Sequence, residues 1–161
     1  HDPSLTQRTD QTIILSDGEV IDPTVVQALP FLDHPQMLAA TQQSQIQTYA
    51  PGSTVLQQGQ PVDHFFMVAS GEVEILVNSK IPEKRLRRLG PGQFFGEVEC
   101  TLGGEARAGA RTTSKGPANI ARISKTEFLR LLQSSPSMKQ AIDQVAQIRL
   151  DENRALLQNY S

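Results

Sequence analysis

Short apolar runs separated by turns occupy the middle of the chain and predict a core of β-strands. Val73, Ile75 and Val77 alternate with Glu72 and Glu74, and this period of two predicts a strand with one buried face. Similar runs lie near residues 46–49, 54–56, 64–68, 84–89, 109–114 and 118–123, and turns rich in glycine and proline separate most of them. Strands that recur roughly every ten residues are typical of all-β barrels, sandwiches and jelly-rolls.

Helical patterns flank this predicted β-core, which spans about residues 46–123. Asp22 followed by Pro23 is typical of a helix N-cap and first helical position, and Ser124 with Glu127 fits a capping box. We expect N-terminal helices near residues 23–29 and 34–43, and two C-terminal helices over about residues 125–133 and 136–158. The predicted fold is mainly β with flanking helices, a jelly-roll-like β-roll of about eight strands.

The first 22 residues are mostly polar and predict a lead-in or linker. Within them, the apolar run at residues 13–15 predicts a short isolated strand. We expect residues 23–161 to form one domain, because this length suits a single domain. Since the chain begins at His1, we also expect it to be a piece of a longer protein.

Composition and charge narrow the classes of function. The chain has 38% hydrophobic residues, 20% charged residues and a net charge of −2, which fits a water-soluble globule and gives no indication of nucleic-acid binding. Its apolar runs are shorter than the roughly 18 residues of a membrane helix, so we expect no direct membrane insertion. The basic patch at residues 84–88 is interpreted as a solvated strand face. The single cysteine, Cys100, fits a reducing compartment, and we expect a cytoplasmic location.

The glycine-rich stretch from Gly96 to Gly109 carries the candidate chemistry. Its small residues disfavour a regular strand or helix and predict an open loop whose backbone approaches a ligand closely. Backbone N–H groups of such residues form an anion nest, to which Arg107 can add a bidentate contact. Glu97 can accept from two hydroxyl groups of a polyol. These features predict a ligand with one phosphate and a sugar, and they leave open a surface loop with an ordinary Arg–Glu pair.

The sequence does not predict an enzyme. His1, His34 and His64 are far apart in sequence and do not form a metal-ligand set. Cys100 has no basic neighbour in sequence to activate it. The sequence also lacks a Gly-x-x-x-x-Gly-Lys loop for a nucleoside triphosphate. We therefore expect no catalytic residue, no metal and no cofactor other than the bound ligand.

Five segments of the chain carry a resemblance to a known family. They are Ala50-Pro51-Gly52, Gly59, Phe65-Phe66-Met67-Val68, Ser70-Gly71-Glu72-Val73 and Gly90-Pro91-Gly92-Gln93-Phe94-Phe95-Gly96-Glu97. With these segments the chain resembles the cyclic nucleotide-binding domain of catabolite-activator regulators, kinase regulatory subunits and cyclic-nucleotide-gated channels. The resemblance covers about residues 25–160.

The resemblance implies a role for each residue of the loop, which is the phosphate-binding cassette of that family. Glu97 would accept from the ribose 2′-hydroxyl, and Arg107 would pair with the cyclic phosphate. Gly96, Val98 and Ala108 would offer backbone N–H groups. Ala108 stands where the family can place a threonine or serine that bonds guanine, so we expect cAMP to be preferred and cGMP to be a weaker ligand.

The resemblance also suggests a role for Arg149. It falls where some channel-type domains place an arginine over the purine, and a guanidinium stacked on an aromatic face contributes roughly 0.5–2 kcal/mol. The alternative is a solvated helix residue.

Several positions depart from the family pattern and bear on affinity. Ala106 stands in place of a proline, which we expect to loosen the loop, and Ala110 removes a hydroxyl group. Arg111 stands where the family buries an aliphatic residue, and Glu99 where many members keep alanine.

As a whole, the resemblance implies a regulatory module. Cyclic nucleotide would move the C-terminal helices and thereby control a fused effector outside this chain, such as a channel, transporter, enzyme or shell protein. The alternative is a degenerate domain of the same fold, kept as a structural or oligomerisation module without ligand. Homo-oligomerisation stays open in either case.

Overall fold

The structure is a computed structural model and describes residues 13–14, 19–77 and 84–160, with side chains over 19–77 and 84–155. Most of the predicted lead-in therefore lies outside the described residues. The strands are β1 (Ile13–Ile14), β2 (Val20–Ile21), β3 (Gln45–Tyr49), β4 (Thr54–Leu56), β5 (His64–Ser70), β6 (Val73–Val77), β7 (Lys84–Leu89), β8 (Phe94–Phe95), β9 (Gly109–Thr112) and β10 (Ala118–Ser124). The helices are α1 (Pro23–Ala28), α2 (His34–Gln43), α3 (Glu97–Leu102), α4 (Lys125–Ser134) and α5 (Pro136–Tyr160).

Eight of these strands form two four-stranded antiparallel sheets. One sheet has the order β3-β10-β5-β8 and the other the order β4-β9-β6-β7. Strands that neighbour each other in a sheet are mostly distant in sequence, so the chain crosses repeatedly between the two layers. This is a β-roll with flanking helices, and the predicted fold class is confirmed.

The apolar faces of the strands meet the C-terminal helices in one core. Phe65 of β5 and Phe128 of α4 are fully buried, and their rings stack with centroids 4.2 Å apart. Ile120 and Ile123 of β10 are buried beside them. Because α4 presents its apolar face to the roll, the helix is fixed against the sheet by hydrophobic burial.

The N-terminal elements begin where the sequence predicts them. Asp22 caps α1 by accepting from the backbone N–H of Thr24 at 2.8 Å. The strand predicted near residues 13–15 is present as β1. The prediction that it is isolated is wrong, because β1 pairs antiparallel with β2. Ile21 of β2 is fully buried, so the last residues of the predicted lead-in contribute to the core.

The prediction of an open loop after Gly96 is wrong over six residues, which form α3. Gly96 precedes this helix with φ +90° and Gly103 follows it with φ +81°, so the glycines lie at the helix ends, where positive φ is needed. The segment between them, Glu-Val-Glu-Cys-Thr-Leu, contains no glycine or proline and can adopt a helix.

The last helix, α5, runs without interruption from Pro136 to Tyr160. Ser135 precedes it, and its hydroxyl oxygen accepts from the backbone N–H of Met138 at 3.1 Å. In the described part of the chain, α5 included, no helix is both long and apolar enough to cross a membrane.

Candidate ligand-binding site

A small cavity lies where α3 and α5 meet the floor of the β-roll. Its volume is about 40 Å³, whereas pockets for small molecules usually measure roughly 300–1,000 Å³. The residues that line it are Leu56, Ile75, Arg87, Phe95, Gly96, Glu97, Val98, Glu99, Ala108, Gly109, Ala110, Arg149 and Asn153. With Arg149 and Asn153 of α5 in its lining, the cavity has room for little more than water.

Gly96 fixes the path of the backbone into the cavity. Its φ of +90° is strained for residues with a side chain, and an added Cβ would lie 3.0 Å from the His64 carbonyl oxygen and 3.3 Å from the Phe66 ring. Both the turn and the close approach therefore require glycine. This geometry directs the next residue, Glu97, into the core.

Glu97 is a buried carboxylate with one engaged and one free oxygen. Its side chain is 1% exposed, and its Oε1 accepts from Arg149 Nη1 at 2.8 Å. The other oxygen, Oε2, has no hydrogen-bond partner among the described residues. Burial raises the pKa of the Glu97 carboxyl above its ordinary value, and the guanidinium of Arg149 opposes that rise. An unpaired buried acceptor is costly and suits a donor supplied from outside.

Arg149 reaches this carboxylate from the middle of α5. Its Nη1 also donates to the Phe94 carbonyl oxygen at 2.7 Å, and its guanidinium lies 5.2 Å from the centroid of the Phe94 ring. The interpretation of Arg149 as a solvated helix residue is wrong, because its side chain is largely buried. In this structure Arg149 forms the lid of the cavity through contacts with protein groups.

Arg107 is engaged by the Glu99 carboxylate of α3. Glu99 Oε2 accepts from the backbone N–H of Arg107 at 3.0 Å and from its Nη1 at 3.3 Å. Nη1 also approaches the Gly103 carbonyl oxygen at 3.4 Å. The Glu99 side chain is 9% exposed, whereas that of Arg107 is 37% exposed, so the glutamate is the more firmly embedded partner.

The loop that carries Arg107 is held by backbone hydrogen bonds. The N–H of Ala106 donates to the Gln60 carbonyl oxygen at 2.8 Å, and the N–H of Gly59 donates to the Ala106 carbonyl oxygen at 2.8 Å. Ala106 is itself buried. The expectation that the missing proline loosens the loop is not met at this point, because a proline could not donate the first of these bonds.

The rim of the cavity joins β7 to the distal part of α5. Arg87 Nη2 lies 2.7 Å from Glu152 Oε1 and 3.5 Å from Asn153 Oδ1. The interpretation of residues 84–88 as a solvated face is therefore wrong for Arg87. It lies opposite Ile75 in the sheet, and its position two residues before buried Leu89 is the sequence signal that could have identified it as inward-facing.

Another departure from the family pattern is accommodated outside the cavity. Arg111 of β9 is half-buried, and its guanidinium lies 3.7 Å from the Glu74 carboxylate of β6. Because β6 and β9 are neighbours and these two residues lie directly opposite each other, a cross-strand ion pair takes the place of aliphatic packing there.

The structure brings most of the predicted site residues together. Gly96, Glu97, Val98, Ala108 and Arg149 line the same cavity, and Arg107 adjoins it through Glu99. The polar lining residues that the sequence did not assign to the site are Arg87, Glu99 and Asn153. Among the described residues, no group of three histidine, cysteine, aspartate or glutamate side chains could hold a metal ion.

This arrangement can bind a ligand that has both hydroxyl groups and one negative charge. The free oxygen of Glu97 accepts from a hydroxyl, and the guanidinium of Arg107 offers charge-assisted donors to an anion. Entry of such a ligand requires Arg149 to move, because a cavity of about 40 Å³ is too small for a sugar phosphate.

Comparison with known proteins gives a family match that covers more than half of the chain. Residues 46–135 match the family model of the cyclic nucleotide-binding domain. The cAMP-dependent protein kinase regulatory subunit of Aspergillus fumigatus is 38% identical over 85 residues, which are 52% of this chain and 19% of that protein. The chain spans about a fifth of the length of the curated relatives it matches.

Two solved structures illustrate the likeness in fold. The catabolite activator protein of Thermus thermophilus aligns with a TM-score of 0.67 at 23% identity, covering 85% of this chain and 62% of that chain. A mutant regulatory subunit of a cAMP-independent protein kinase A from Trypanosoma brucei, bound to cAMP in its A site, aligns with a TM-score of 0.68 at 17% identity. That alignment covers 77% of this chain and 45% of the other. At such identities the likeness concerns the fold alone.

Proposed function

Because the chain belongs to the cyclic nucleotide-binding domain family, we propose that the cavity beneath α5 binds a cyclic nucleotide and that cAMP is favoured over cGMP. The observation that carries this proposal is the buried carboxylate of Glu97. This residue lines the cavity, and its Oε2 has no hydrogen-bond partner among the described residues. A ribose 2′-hydroxyl is a donor of the right kind for this oxygen.

The phosphate is assigned to the part of the loop near Arg107. The Arg107 side chain is more than a third exposed, so an incoming anion can reach it. Gly96, Val98 and Ala108 line the neighbouring wall, and their backbone N–H groups are the proposed further donors. A monoanionic cyclic phosphodiester matches one guanidinium and a set of neutral donors.

The preference for cAMP rests on Ala108. This residue lines the cavity and carries no hydroxyl that could hydrogen-bond the exocyclic amino group of guanine. A site without that partner gains nothing from guanine's additional donor, and desolvating the donor costs free energy. We expect the preference to be modest, because both ligands share the phosphate and the ribose.

Binding requires the distal part of α5 to leave its position over the cavity. Arg149 must release the Glu97 carboxylate before a ribose can approach, and in the bound state it can stack on the purine instead. This exchange couples ligand binding to the position of α5, which is the proposed output to a fused effector. The ligand shifts α5 only by its difference in affinity between the two positions.

A second function is supported by a specific observation. Both Glu97 and Arg107 already have internal partners, which is the arrangement expected of a module that keeps the fold for structural or oligomerisation purposes. The internal pairs fill the site from within and would stabilise the closed form whether or not a ligand is bound.

Isothermal titration calorimetry with cAMP, cGMP and adenosine 5′-monophosphate distinguishes the two functions. Saturable binding of cAMP, weaker binding of cGMP and still weaker binding of the open monophosphate are expected. Tighter binding of cGMP would refute the selectivity, and no heat with any of the three would favour the structural module.

A further inference from the structure

We propose that Glu99 is an affinity-determining residue, because its carboxylate occupies two donors of Arg107, the backbone N–H and Nη1, that would otherwise be available to the ligand's phosphate. This inference rests on the proposed function. It predicts that the chain binds cyclic nucleotide more weakly than its cassette allows, and that removing one carboxylate strengthens binding.

The geometry of Glu99 resembles that of a bound anion. A single oxygen, Oε2, accepts from the guanidinium of Arg107 at 3.3 Å and from the backbone N–H of the same residue at 3.0 Å. One side-chain and one backbone donor that converge on one oxygen are what a nest offers to a phosphate. Glu99 is also one of the residues that line the cavity, so it borders the space assigned to the ligand.

The competition favours the internal anion before the ligand arrives. Glu99 is attached two residues after Glu97 on α3 and its side chain is almost completely buried, so it meets Arg107 at a high effective concentration. A cyclic phosphodiester and a carboxylate each carry one negative charge. The binding free energy of the ligand therefore includes only the difference between the Arg107–phosphate and Arg107–Glu99 interactions, and not the full free energy of the Arg107–phosphate interaction.

Displacement carries a second cost. Once the phosphate holds Arg107, the Glu99 carboxylate remains close to it without its counter-ion, and like charges at short distance repel each other. Glu97 adds a further negative charge two residues away. The repulsion adds to the cost of breaking the internal pair, and both costs disappear when Glu99 is replaced by a neutral side chain.

The test is cAMP binding to the 161-residue chain, measured by calorimetry for five proteins: wild type, Glu99→Ala, Glu99→Gln, Arg107→Ala and the double variant Glu99→Ala/Arg107→Ala. Circular dichroism checks that each variant folds. We expect Glu99→Ala to bind cAMP at least about ten-fold more tightly than wild type, since close charge pairs of this kind couple strongly. Glu99→Gln, which keeps the shape and removes the charge, is expected to strengthen binding in the same direction.

A matched control removes a carboxylate from the same loop without touching Arg107. Glu105 is exposed and follows α3. Glu105→Ala changes the net charge by the same amount as Glu99→Ala, because each substitution removes one carboxylate. We expect less than a two-fold effect from it, because exposed charges are screened. In the Arg107→Ala background, Glu99→Ala is expected to strengthen binding by clearly less than in wild type, since only the repulsion between the carboxylate and the phosphate remains to be removed.

The outcomes separate this inference from the proposed function. Suppose that wild type binds cAMP, that Arg107→Ala abolishes this binding and that neither Glu99 variant strengthens it. This result would overturn the inference and leave the proposed function standing. Equal strengthening with and without Arg107 would also overturn it, because Glu99 would then act by another route. Binding by no variant at all would overturn both.

Discussion

The two halves of α5 are held against the β-roll by different kinds of contact. In the N-terminal half, Met138 and Ile142 are completely buried in the core. In the C-terminal half, side chains are described as far as residue 155, and the contacts of these residues with the roll are mainly polar: Arg149 pairs with Glu97, and Glu152 pairs with Arg87 of β7. One half is thus held by hydrophobic burial and the other by ion pairs and hydrogen bonds over a cavity.

The difference indicates which half can move. Apolar burial is lost only when the surface returns to water, so the first half stays fixed as long as the domain is folded. Ion pairs and hydrogen bonds can be exchanged for equivalent contacts with a ligand at a small net cost. Ile148, between the two halves, is 58% exposed and adds little apolar anchorage. We therefore place the hinge of the helix near this residue.

The largest effect is expected on the free energy of unfolding, from a substitution in the N-terminal half of α5. Ile142→Ala removes a fully buried side chain from the core and is expected to lower the free energy of unfolding by about 4 kcal/mol. Ile148→Ala is the matched control, since it makes the same change on an exposed face of the same helix, and less than about 0.5 kcal/mol is expected. Urea unfolding followed by circular dichroism measures both. Equal effects would remove the distinction between the halves.

The next effect concerns ligand affinity and not stability. Arg107→Ala is expected to weaken cAMP binding by about 3 kcal/mol, because the phosphate loses its charged partner. Glu97→Ala should weaken it less, since hydrogen bonds to neutral hydroxyls are lost. Arg130→Ala on α4, an exposed arginine outside the cavity, is the control. Calorimetry measures both losses of affinity. A larger loss for Glu97→Ala than for Arg107→Ala would contradict the assigned roles.

The stability that the Arg149–Glu97 pair contributes is expected to depend on pH. Arg149→Ala leaves the buried Glu97 carboxylate without its counter-ion and is expected to cost roughly 2 kcal/mol of stability at pH 7.5, less than a rigidly buried pair because α5 can detach and admit water. Burial raises the pKa of Glu97 in the folded protein above its unfolded value. Because Arg149 opposes this rise, its removal raises the pKa of Glu97 further. The cost of the substitution is therefore small below the window between the folded-state pKa values of wild type and variant, and it grows as the pH rises through that window.

Urea unfolding of wild type and Arg149→Ala at pH 5 and pH 7.5 measures this dependence. The cost of the substitution is expected to be smaller at pH 5. The same comparison in a Glu97→Gln background should show no such pH dependence, because residue 97 then carries no titratable group. A cost that is equal at both pH values would mean that Glu97 is not the group left unpaired.

The smallest expected effect is at the rim. Glu152→Ala breaks the ion pair with Arg87, and because Glu152 is mostly exposed we expect a loss of about 0.5 kcal/mol or less. Amide hydrogen exchange over the last turns of α5 should nevertheless increase slightly, since one tether of the moving half is gone. A loss above about 2 kcal/mol would mean that the rim is part of the fixed structure.

The sequence predicted the fold well because strand alternation and turn residues are local signals. The period of two in β6 and the Asp22-Pro23 helix start each depend on neighbours within a few positions. The helix α3 was missed because the glycines at positions 96, 103 and 104 were interpreted as part of one loop, although they flank the helix. Glycine content alone does not distinguish a loop from a helix that has glycine at both ends.

The candidate site was predicted only in part, for a different reason. The residue types and spacing indicated Glu97 and Arg107, yet the partners of these side chains are set by the tertiary structure. Arg149 is 52 positions from Glu97, and no local pattern joins them. Glu99 was noted as unusual, but its contact with Arg107 depends on how α3 presents it.

We expect cAMP to enter the cavity and to move the distal half of α5 away from the roll. Double electron–electron resonance measures this with spin labels at Thr54→Cys on β4 and Arg154→Cys on α5, both exposed. Cys100 should stay unlabelled because it is buried and burial raises the pKa of its thiol to about 12. We predict that saturating cAMP lengthens the distance between the labels and that Arg107→Ala abolishes the change. An unchanged distance in a protein that calorimetry shows to be saturated with cAMP would contradict the claim.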